Sequence, residues 1–459
     1  MRLPLLGDTQ EHPSIISNNQ KTINWYPVPS KGGISPFSLI CSPGSVQLAS
    51  VTAGESRGFI KVGDLPYAVV GTSLYCFDEN IQVSNLGTIA GSGRVGMAHD
   101  GTNLVIVTGV GNPGYVFDGS TLSTITDPDF PGADDVTFLY GFFVASSFND
   151  DQIYVSDLNS PTSWPAASSF FDEKPDKLKR IIVDHGEIFA FGTEGTEVWY
   201  FSGDLSFPFE RNQSAIIDRG TKATWSVRRD DNTVFFLGDD LIVYRMEGYN
   251  PVRISDESVE TALSSYTKIN LENSYAFTYT DHGHKFYQLT IPNHETWVYD
   301  IATGQWHNRK HFDLKIHHAF DYVWAYGKHI ILDNRDNGLF LEWSRSIYDD
   351  NGTTLKSERK SQYISNSDQR IRWKRLKIVM ETGVGLPTGQ GSDPIITMRI
   401  SDDRGRTFKN EKQLKIGQAG RYKKQVIKRH LGSSRVRQYE LSISDPVPRN
   451  IADVYAVVE

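Results

Sequence analysis

Alternation of apolar and polar residues is the clearest pattern in this chain, and it is best developed between Val183 and Asp204. Within that stretch, β-branched and aromatic residues recur with a period of two on both sides of a short polar segment, Thr193–Thr196. This pattern predicts a β-hairpin. An isolated hairpin is only marginally stable in water, so the hairpin needs neighbouring strands.

The hairpin pattern recurs at a nearly constant interval. The central residues of the second strand of each hairpin are separated by 40, 39, 45, 44, 54 and 43 residues: Tyr75, Tyr115, Tyr154, Trp199, Val243, Trp297 and Phe340. Intervals of this size, with several strands in each repeat, are typical of β-propeller blades. The sequence therefore predicts an all-β protein with a β-propeller of about seven blades over residues 51–355. A series of β-meanders in two stacked sheets is the alternative.

The longest interval contains an inserted segment, Ser255–Tyr266, which is one of the few helix-like stretches in the chain. Ser255 or Asp256 is suited to be its N-cap, because a short polar side chain there accepts a hydrogen bond from the first helical turn. We therefore predict a short helix between two blades.

Residues 356–459 contain five further segments with a period of two: 371–381, 395–401, 422–428, 436–444 and 451–458. The alternation puts apolar residues on one face and lysines and arginines on the other, which predicts a small antiparallel β-sandwich with a basic outer face. Between two of these strands, Ser401–Phe408 matches the Asp-box pattern. There the Asp403 side chain is expected to bond turn amides, and Gly405 to adopt a left-handed conformation.

Residues 1–50 are rich in proline and poor in predicted strands, and we interpret them as an extended N-terminal arm. Asn24, Trp25 and Tyr26 are its candidate assembly residues, since two adjacent aromatic rings could anchor the arm on a neighbouring subunit. The alternative is that these side chains are buried within their own chain.

Charge is distributed unevenly along the chain. It contains 47 Lys+Arg and 55 Asp+Glu, of which residues 356–459 hold 22 and 11, leaving 25 and 44 for the rest. The C-terminal part therefore has a net charge of +11 and the remainder a net charge of −19. This asymmetry predicts docking between unlike protein surfaces or contact with a nucleic acid.

The densest group of basic residues lies near the C-terminus: Lys423, Lys424, Lys428, Arg429, Arg435 and Arg437. One interpretation is direct binding of DNA, in which each cation neutralises a phosphate and binding depends steeply on salt. The alternative is a solvated patch or a patch that faces another subunit.

No set of residues predicts chemistry, so we expect no catalytic site, no cofactor and no metal. Gly91-x-Gly93-x-x-Gly96 precedes a strand rather than a helix, which argues against dinucleotide binding. His282 and His284 lie at a predicted turn without a clear third ligand. The close pairs of carboxylates also lie in turns.

Cysteine content and apolar runs indicate the compartment in which the protein folds. The chain contains two cysteines, Cys41 and Cys76, which excludes a disulfide framework. It lacks an apolar run long enough for a membrane span, and its N-terminal apolar run is too short for a signal peptide. We therefore expect it to fold in a cytoplasm.

Three short stretches resemble a known family. Gly91–His99, Asn24–Pro27 and Arg437–Arg449 are similar to segments of the packaged-DNA stabilisation proteins, or tail hubs, of P22-like short-tailed bacteriophages. The resemblance implies a propeller-containing subunit of the virion tail, folded in the host cytoplasm and assembled with itself into a ring of six. It also implies contacts with the portal and head-to-tail adaptor, with the tail needle or with fibres and tailspikes, and with genome DNA in the channel, but not with a membrane. It carries no catalytic residues.

A glycan-binding or sialidase-like propeller is the alternative function. Such an enzyme needs arginines, a tyrosine and a carboxylate that converge in a central depression. Asp-boxes recur in several blades of such enzymes, whereas this chain has one, outside the predicted propeller.

Overall fold

The computed structural model describes residues 3, 5–11, 19–29, 36–148, 151–170, 176–204, 206–215, 217–367 and 369–459. These residues form 45 strands and two short helices. Residues 12–18 and 30–35 of the predicted N-terminal arm lie outside the described residues.

The chain begins with five strands that pair with elements far along the sequence: β1 (Gln10–Glu11), β2 (Asn19–Ile23), β3 (Trp25–Pro29), β4 (Phe37–Cys41) and β5 (Gly44–Ser50). The first four belong to the C-terminal sandwich, and β5 belongs to the propeller. The segment interpreted from sequence as an extended arm is therefore built into both parts of the protein.

Each of the next three four-stranded antiparallel sheets forms one blade. Their strands are β6 (Ser56–Val62), β7 (Leu65–Val70), β8 (Ser73–Phe77) and β9 (Val83–Thr88); β10 (Gly96–His99), β11 (Leu104–Val107), β13 (Tyr115–Phe117) and β14 (Leu122–Thr124); and β16 (Asp135–Leu139), β17 (Phe142–Ser147), β18 (Gln152–Val155) and β19 (Ser168–Phe170). Between the second and third blades, β12 (Gly109–Val110) pairs with β15 (Gly132–Ala133).

Blades four to six follow the same order. Their strands are β20 (Leu178–Asp184), β21 (Glu187–Gly192), β22 (Thr196–Phe201) and β23 (Phe209–Arg211); β24 (Arg228–Asp230), β25 (Thr233–Leu237), β26 (Val243–Glu247) and β27 (Asn250–Arg253); and β28 (Tyr275–Asp281), β29 (His284–Ile291), β30 (Glu295–Asp300) and β31 (Gln305–Arg309). Helices α1 (Glu257–Ser265) and α2 (Lys268–Glu272) connect the fifth and sixth blades.

The seventh blade closes the ring with a strand from the other end of the sequence. It consists of β32 (Ala319–Ala325), β33 (Lys328–Asp333) and β34 (Leu339–Ser344), and β5 pairs antiparallel with β34 as its fourth strand. The first strands of the seven blades contact one another in a closed circle, with β32 against β6. Closure in this way leaves no free sheet edge at the junction between the first and last blades.

The predicted repeat is confirmed. All seven central residues identified from the sequence lie in the third strand of a blade, in β8, β13, β18, β22, β26, β30 and β34. The predicted insertion is also a helix, α1, and the side chain of its N-cap Asp256 accepts a hydrogen bond from the Val259 amide.

Two short strands follow the seventh blade, β35 (Asp349–Asp350) and β36 (Thr353–Thr354). The remaining strands complete the β-sandwich: β37 (Ser357–Lys360), β38 (Ile364–Ser365), β39 (Ile371–Met380), β40 (Ile395–Ser401), β41 (Lys412–Lys415), β42 (Val426–Arg429), β43 (Ser433–Ser434), β44 (Val436–Ile443) and β45 (Ile451–Val458). One sheet has the order β2-β37-β44-β40-β41, and the facing sheet has the order β3-β4-β45-β39-β42. The hairpin β35–β36 lies instead beside β5 on the seventh blade.

Propeller and sandwich share a sheet. Strand β2 pairs parallel with β31, the outer strand of the sixth blade, at Ile23 and Asn308, and antiparallel with β37 of the sandwich. The sandwich core also includes residues from both ends of the chain, such as Leu5, Trp25 and Ile451. The sandwich therefore extends outward from the propeller rim as a continuation of the sixth blade.

Candidate interaction surfaces

The propeller axis is occupied by charged side chains that bond across it. The Arg228 guanidinium in the fifth blade donates to Asp321 in the seventh at 2.8 Å, and Arg94, which precedes the second blade, lies 4.0 Å from the same carboxylate. Arg180 in the fourth blade donates to Asp135 in the third at 2.6 Å. The fifth and seventh blades are not neighbours, so the contact between Arg228 and Asp321 crosses the axis.

Aromatic rings pack around these arginines and leave little space. The Arg94 guanidinium lies 3.9 Å from the centre of the Phe320 ring, and the Arg180 guanidinium lies 4.6 Å from that of Trp225. The cavity that remains has a volume of about 90 Å³. Ligand pockets for drug-sized molecules have volumes of about 300–1,000 Å³, so a sugar ring does not fit here. The buried Tyr275 hydroxyl is bonded to Asn334.

The hairpins between the first and second strands, and between the third and fourth strands, all lie on one side of the propeller, because successive strands are antiparallel. We call this side the turn face. In blades three to seven the first hairpin has a two-residue turn with two positive φ angles, as in type I′ turns: Tyr140-Gly141, His185-Gly186, Asp231-Asn232, His282-Gly283 and Tyr326-Gly327. These dipeptides also recur once per blade in the sequence. They are a second signal of the repeat, in addition to the alternation within the strands.

Exposed aromatic and aliphatic side chains gather on the turn face of blades three to five: Tyr140, Leu158, Tyr200, Phe201 and Tyr249. We call them the aromatic patch. The rings of Tyr140 and Phe201 lie 5.4 Å apart. Tyr140 is 55% exposed although its backbone φ is +52°, a conformation that is costly for a bulky residue. Exposed aromatic clusters of this kind are typical of protein–protein interfaces.

An acidic groove borders the aromatic patch between the fourth and fifth blades. Its volume is about 450 Å³, and its acidic lining consists of Asp184, Glu187, Asp231 and Glu247. The Tyr249 hydroxyl donates to Glu187 at 2.8 Å, and this hydrogen bond is the main cause that raises the pKa of Tyr249. Three of these acids are paired within the chain: Glu247 with Arg245, Asp184 with Arg229 and Asp231 with Lys285. Among the described residues, Glu187 is the lining acid without an ion pair, and it suits a partner that presents a lysine or arginine side chain.

A basic groove lies on the sandwich where β39 and β42 pair. Its volume is about 700 Å³, and its basic lining consists of Arg372, Lys374, Arg375, Arg429 and His430. Strand β39 positions the first three: it buries Trp373 and Leu376, and a register irregularity between Trp373 and Arg375 leaves the adjacent Lys374 and Arg375 both exposed. Lys374 bonds Glu459 at 3.0 Å, which holds the pKa of that carboxyl below its usual range.

A second depression, of about 550 Å³, adjoins the basic groove. Its arginines are Arg370, Arg404, Arg406 and Arg435, and its acids are Asp402 and Asp403. The short strand β43, which pairs with the start of β39, lines this depression, and Gly432 just before it lines the basic groove. Together the two depressions make this end of the sandwich a continuous basic surface.

The structure places the six residues of the predicted basic patch in different settings, and it buries one of them. Arg429 lines the basic groove and Arg435 lines the adjoining depression, and Lys423 and Lys424 are exposed in the turn before β42. Lys428 is half-buried. Arg437 is only 1% exposed, because it pairs with Asp402 and donates to the Leu431 carbonyl, so it is corrected from a surface cation to a buried one.

The predicted assembly residues are buried in the chain itself. The Asn24 side chain bonds the carbonyls of Lys310 and Lys356, and the Trp25 indole donates to the Arg449 carbonyl at 3.1 Å. Tyr26 packs against Phe286 of the sixth blade. These contacts correct the arm interpretation for Asn24, Trp25 and Tyr26, which join propeller and sandwich and are not available to a neighbouring subunit.

The remaining motifs have local roles. Gly91 and Gly93 have φ angles of +86° and +81° in the connection to the second blade, where the buried Arg57 donates to the Gly93 carbonyl at 2.8 Å. In the Asp-box, Asp403 accepts hydrogen bonds from Ser401 and from the Thr407 amide, and Gly405 is left-handed. Cys41 and Cys76 are free thiols.

The described part of the chain has neither a metal-binding cluster nor a membrane-spanning helix. Among the described residues, no group of three or more His, Cys, Asp or Glu side chains is arranged to hold a metal ion. No helix of the described ranges has the length and apolar character that a membrane span requires.

Comparison with solved structures gives only low similarities. The β-propeller domain of Cps50 (Swd1) from Myceliophteria thermophila is 12% identical, with a TM-score of 0.44 over 65% of this chain and 99% of that domain. A chain of the mitotic checkpoint complex (11% identity, TM-score 0.45, 69% and 95% covered) and YCF48 bound to D1 peptide (13%, 0.41, 66% and 97%) are comparable. At these scores the similarities support no statement about function.

Family models give a clear result. No curated protein matches the chain. Residues 1–341 match the model of the bacteriophage P22 Gp10 β-propeller, and residues 356–459 match that of the P22 Gp10 β-sandwich. The two models cover both structural parts described above, in the same order. The chain therefore belongs to the bacteriophage P22 Gp10 family of phage structural proteins.

Proposed function

We propose that this protein is the subunit of a ring in the tail of a short-tailed phage. The ring extends the channel of the portal and head-to-tail adaptor, helps to retain the packaged DNA, and docks the tail needle or fibres. The single observation that carries the proposal is the presence, on separate parts of one chain, of two exposed grooves, one lined mainly by carboxylates and the other mainly by cations.

The two grooves suit a head-to-tail contact between copies. The acidic groove is on the fourth and fifth blades, whereas the sandwich that bears the basic groove extends from the sixth. A contact between two different patches of identical subunits is heterologous, and it closes into a ring when the rotation between copies divides a full turn. By resemblance to the P22-like tail hubs, we expect six copies.

The DNA channel of such a ring lies between the copies. The propeller axis holds a cavity of only about 90 Å³, which is space for about three water molecules. A duplex does not pass through it. The acidic propellers are then suited to line a channel from which DNA is repelled, and so does not adhere during ejection.

Mixing of charge-reversal variants tests the contact. We expect Glu187→Lys in the acidic groove and Arg372→Glu in the basic groove each to weaken assembly of the full chain by about tenfold or more, which corresponds to about 1.4 kcal/mol. An equimolar mixture of the two variants should assemble again, because each reversed groove then meets an oppositely reversed one. Sedimentation velocity and negative-stain images at low and high salt measure both effects.

Lys310→Glu is the matched control, since Lys310 is exposed and lies outside both grooves. It should assemble as the unaltered protein does. A protein that stays monomeric at low salt, or a mixture that fails to recover, contradicts the proposed contact. Steeply salt-dependent binding of duplex DNA that Arg372→Glu abolishes, without any effect on assembly, assigns the basic groove to DNA instead.

A further inference from the structure

The charges at the propeller axis do not balance. Three guanidinium groups, those of Arg94, Arg180 and Arg228, face two carboxylates, those of Asp135 and Asp321. The five side chains are between 1% and 22% exposed. A net positive charge is therefore held in a confined, largely buried space, where an unpaired charge is strongly unfavourable.

Two of the guanidinium groups have donors without a partner. Among the described residues, nothing accepts a hydrogen bond from Arg94 Nη1 or from Arg180 Nε, and both atoms are buried. The rings of Phe320 and Trp225 contact these guanidinium groups and supply no acceptor atom. Buried donors of this kind are normally satisfied by an acceptor in the same cavity.

We propose that the cavity at the propeller axis is a binding site for one small monovalent anion, either a halide or a carboxylate. The site is formed by Arg94, Arg180 and Arg228, which come from three different parts of the propeller. Its volume of about 90 Å³ holds one such ion with one or two waters. An anion there cancels the excess charge and accepts from the unused donors.

The buried guanidinium groups have pKa shifts in the direction that an anion would reverse. Burial lowers the pKa of Arg94 to about 9 and also lowers the pKa of Arg180. A bound anion favours the charged form of Arg94. It therefore stabilises contacts among blades two, three, four, five and seven at the centre of the ring, a function separate from assembly of the tail.

Bromide identifies the site directly. Crystals of the full chain grown or soaked in sodium bromide should give an anomalous peak within hydrogen-bonding distance of Arg94 Nη1. The absence of a peak, with water in the cavity, overturns the proposal. This measurement needs no variant, so it remains decisive even if a substitution at the axis prevents folding.

Thermal unfolding of the full chain gives an independent test. At constant ionic strength, replacement of a bulky sulfonate by chloride should raise Tm along a saturating curve, because the ion binds the folded state alone. Arg94→Met keeps the packing on Phe320 and removes the excess charge. The Tm of this variant should therefore not show the saturating rise with chloride. Arg219→Gln, at a half-exposed arginine paired with Asp240, should retain it.

Acetate in place of chloride separates the two sources of the anion. Equal stabilisation by acetate assigns a site that accepts carboxylates, including one from a partner protein, whereas stabilisation by chloride alone assigns a halide site. If every anion raises the Tm of the unaltered protein and of Arg94→Met equally, the rise is general stabilisation by salt. That result contradicts the proposal.

Discussion

Three histidine side chains pack together in the connection between the sixth and seventh blades. His311, His317 and His318 are fully buried, and the ring of His318 lies 4.6 Å from that of His317 and 5.0 Å from that of His311. Among the described residues, neither ring nitrogen of His318 has a hydrogen-bond partner. Burial lowers the pKa of His318 to about 3, so the ring is neutral in the folded protein at neutral pH.

This cluster predicts sensitivity to acid. Between pH 6.5 and about 3, an unfolded chain protonates His318 and the folded chain does not, so stability falls as pH falls, by about 1.4 kcal/mol per pH unit for this residue. His318→Phe should remove that share of the slope. Urea unfolding at a series of pH values between 7 and 4 measures it.

The exposed turn residue His282 provides the control for this experiment. His282→Asn should change the pH slope little, because that side chain is 69% exposed, its contact with Asp281 at 3.7 Å is screened by water, and Asn tolerates its positive φ. Equal slopes for His318→Phe and the unaltered protein contradict a neutral buried ring.

Tyr140 combines a strained backbone with an exposed ring, which points to a role in binding. Asn-Gly is the preferred type I′ dipeptide, so Tyr140→Asn relieves the turn and removes the contact with Phe201. These effects have similar size, and we expect the free energy of unfolding to change by less than about 1 kcal/mol. Assembly should weaken by about tenfold or more. His282→Asn is the control. If Tyr140→Asn assembles as well as His282→Asn does, the aromatic patch is not an interface.

At the scale of elements, the N-terminal strands hold the two parts of the protein together. Trp25 in β3 is fully buried in the sandwich core, more than 400 residues before the Arg449 carbonyl to which it donates. Strand β5 completes the seventh blade. Both contacts join segments that are far apart in the sequence, so strands β3 and β5 are part of the folded core.

A pair of tryptophan substitutions tests this role. Trp25→Ala should lower the free energy of unfolding by about 3–5 kcal/mol, as removal of a large buried ring does. Trp324→Ala, at a ring that is 46% exposed, should lower it by less than about 1 kcal/mol. Chemical unfolding and limited proteolysis of both variants measure these losses of stability. Similar small losses would indicate that the N-terminal segment is dispensable for the fold.

The third strand of each blade could be predicted from sequence because it lies in the middle of a sheet and carries a local, period-two pattern. Strand β5 could not, because its partner β34 is separated from it by almost the whole propeller, and local alternation does not specify a distant partner. The basic face of β39 followed from alternation as well. Arg437 was misplaced because a run of charges does not reveal that Asp402 pairs with one of its members.

At the scale of the whole molecule, charge separates along the chain and in space. The C-terminal residues 356–459 have a net charge of +11, and the rest has −19. The exposed grooves have the same polarity as the segments that contain them. Self-association driven by such surfaces weakens with salt, since exposed charges are screened beyond about 8–10 Å at physiological ionic strength.

The proposed role in genome retention predicts a particle phenotype. Heads that are filled in the absence of this protein should release their DNA, because the channel below the adaptor is incomplete. Supply of the unaltered protein or of Lys310→Glu should restore retention, and Arg372→Glu should not. Nuclease sensitivity of the genome in purified particles measures this, and particles that keep their genomes without the protein contradict the role.

The sheet that continues from the sixth blade into the sandwich makes the subunit stiff. Two short connections, after β4 and after β36, and the pairing of β31 with β2 all cross the same boundary, which leaves no single hinge. A load on the sandwich is transmitted to the blades through backbone hydrogen bonds. If copies assemble into the proposed ring, we therefore expect a change in its shape to occur at the contacts between copies, while each copy moves as one rigid body.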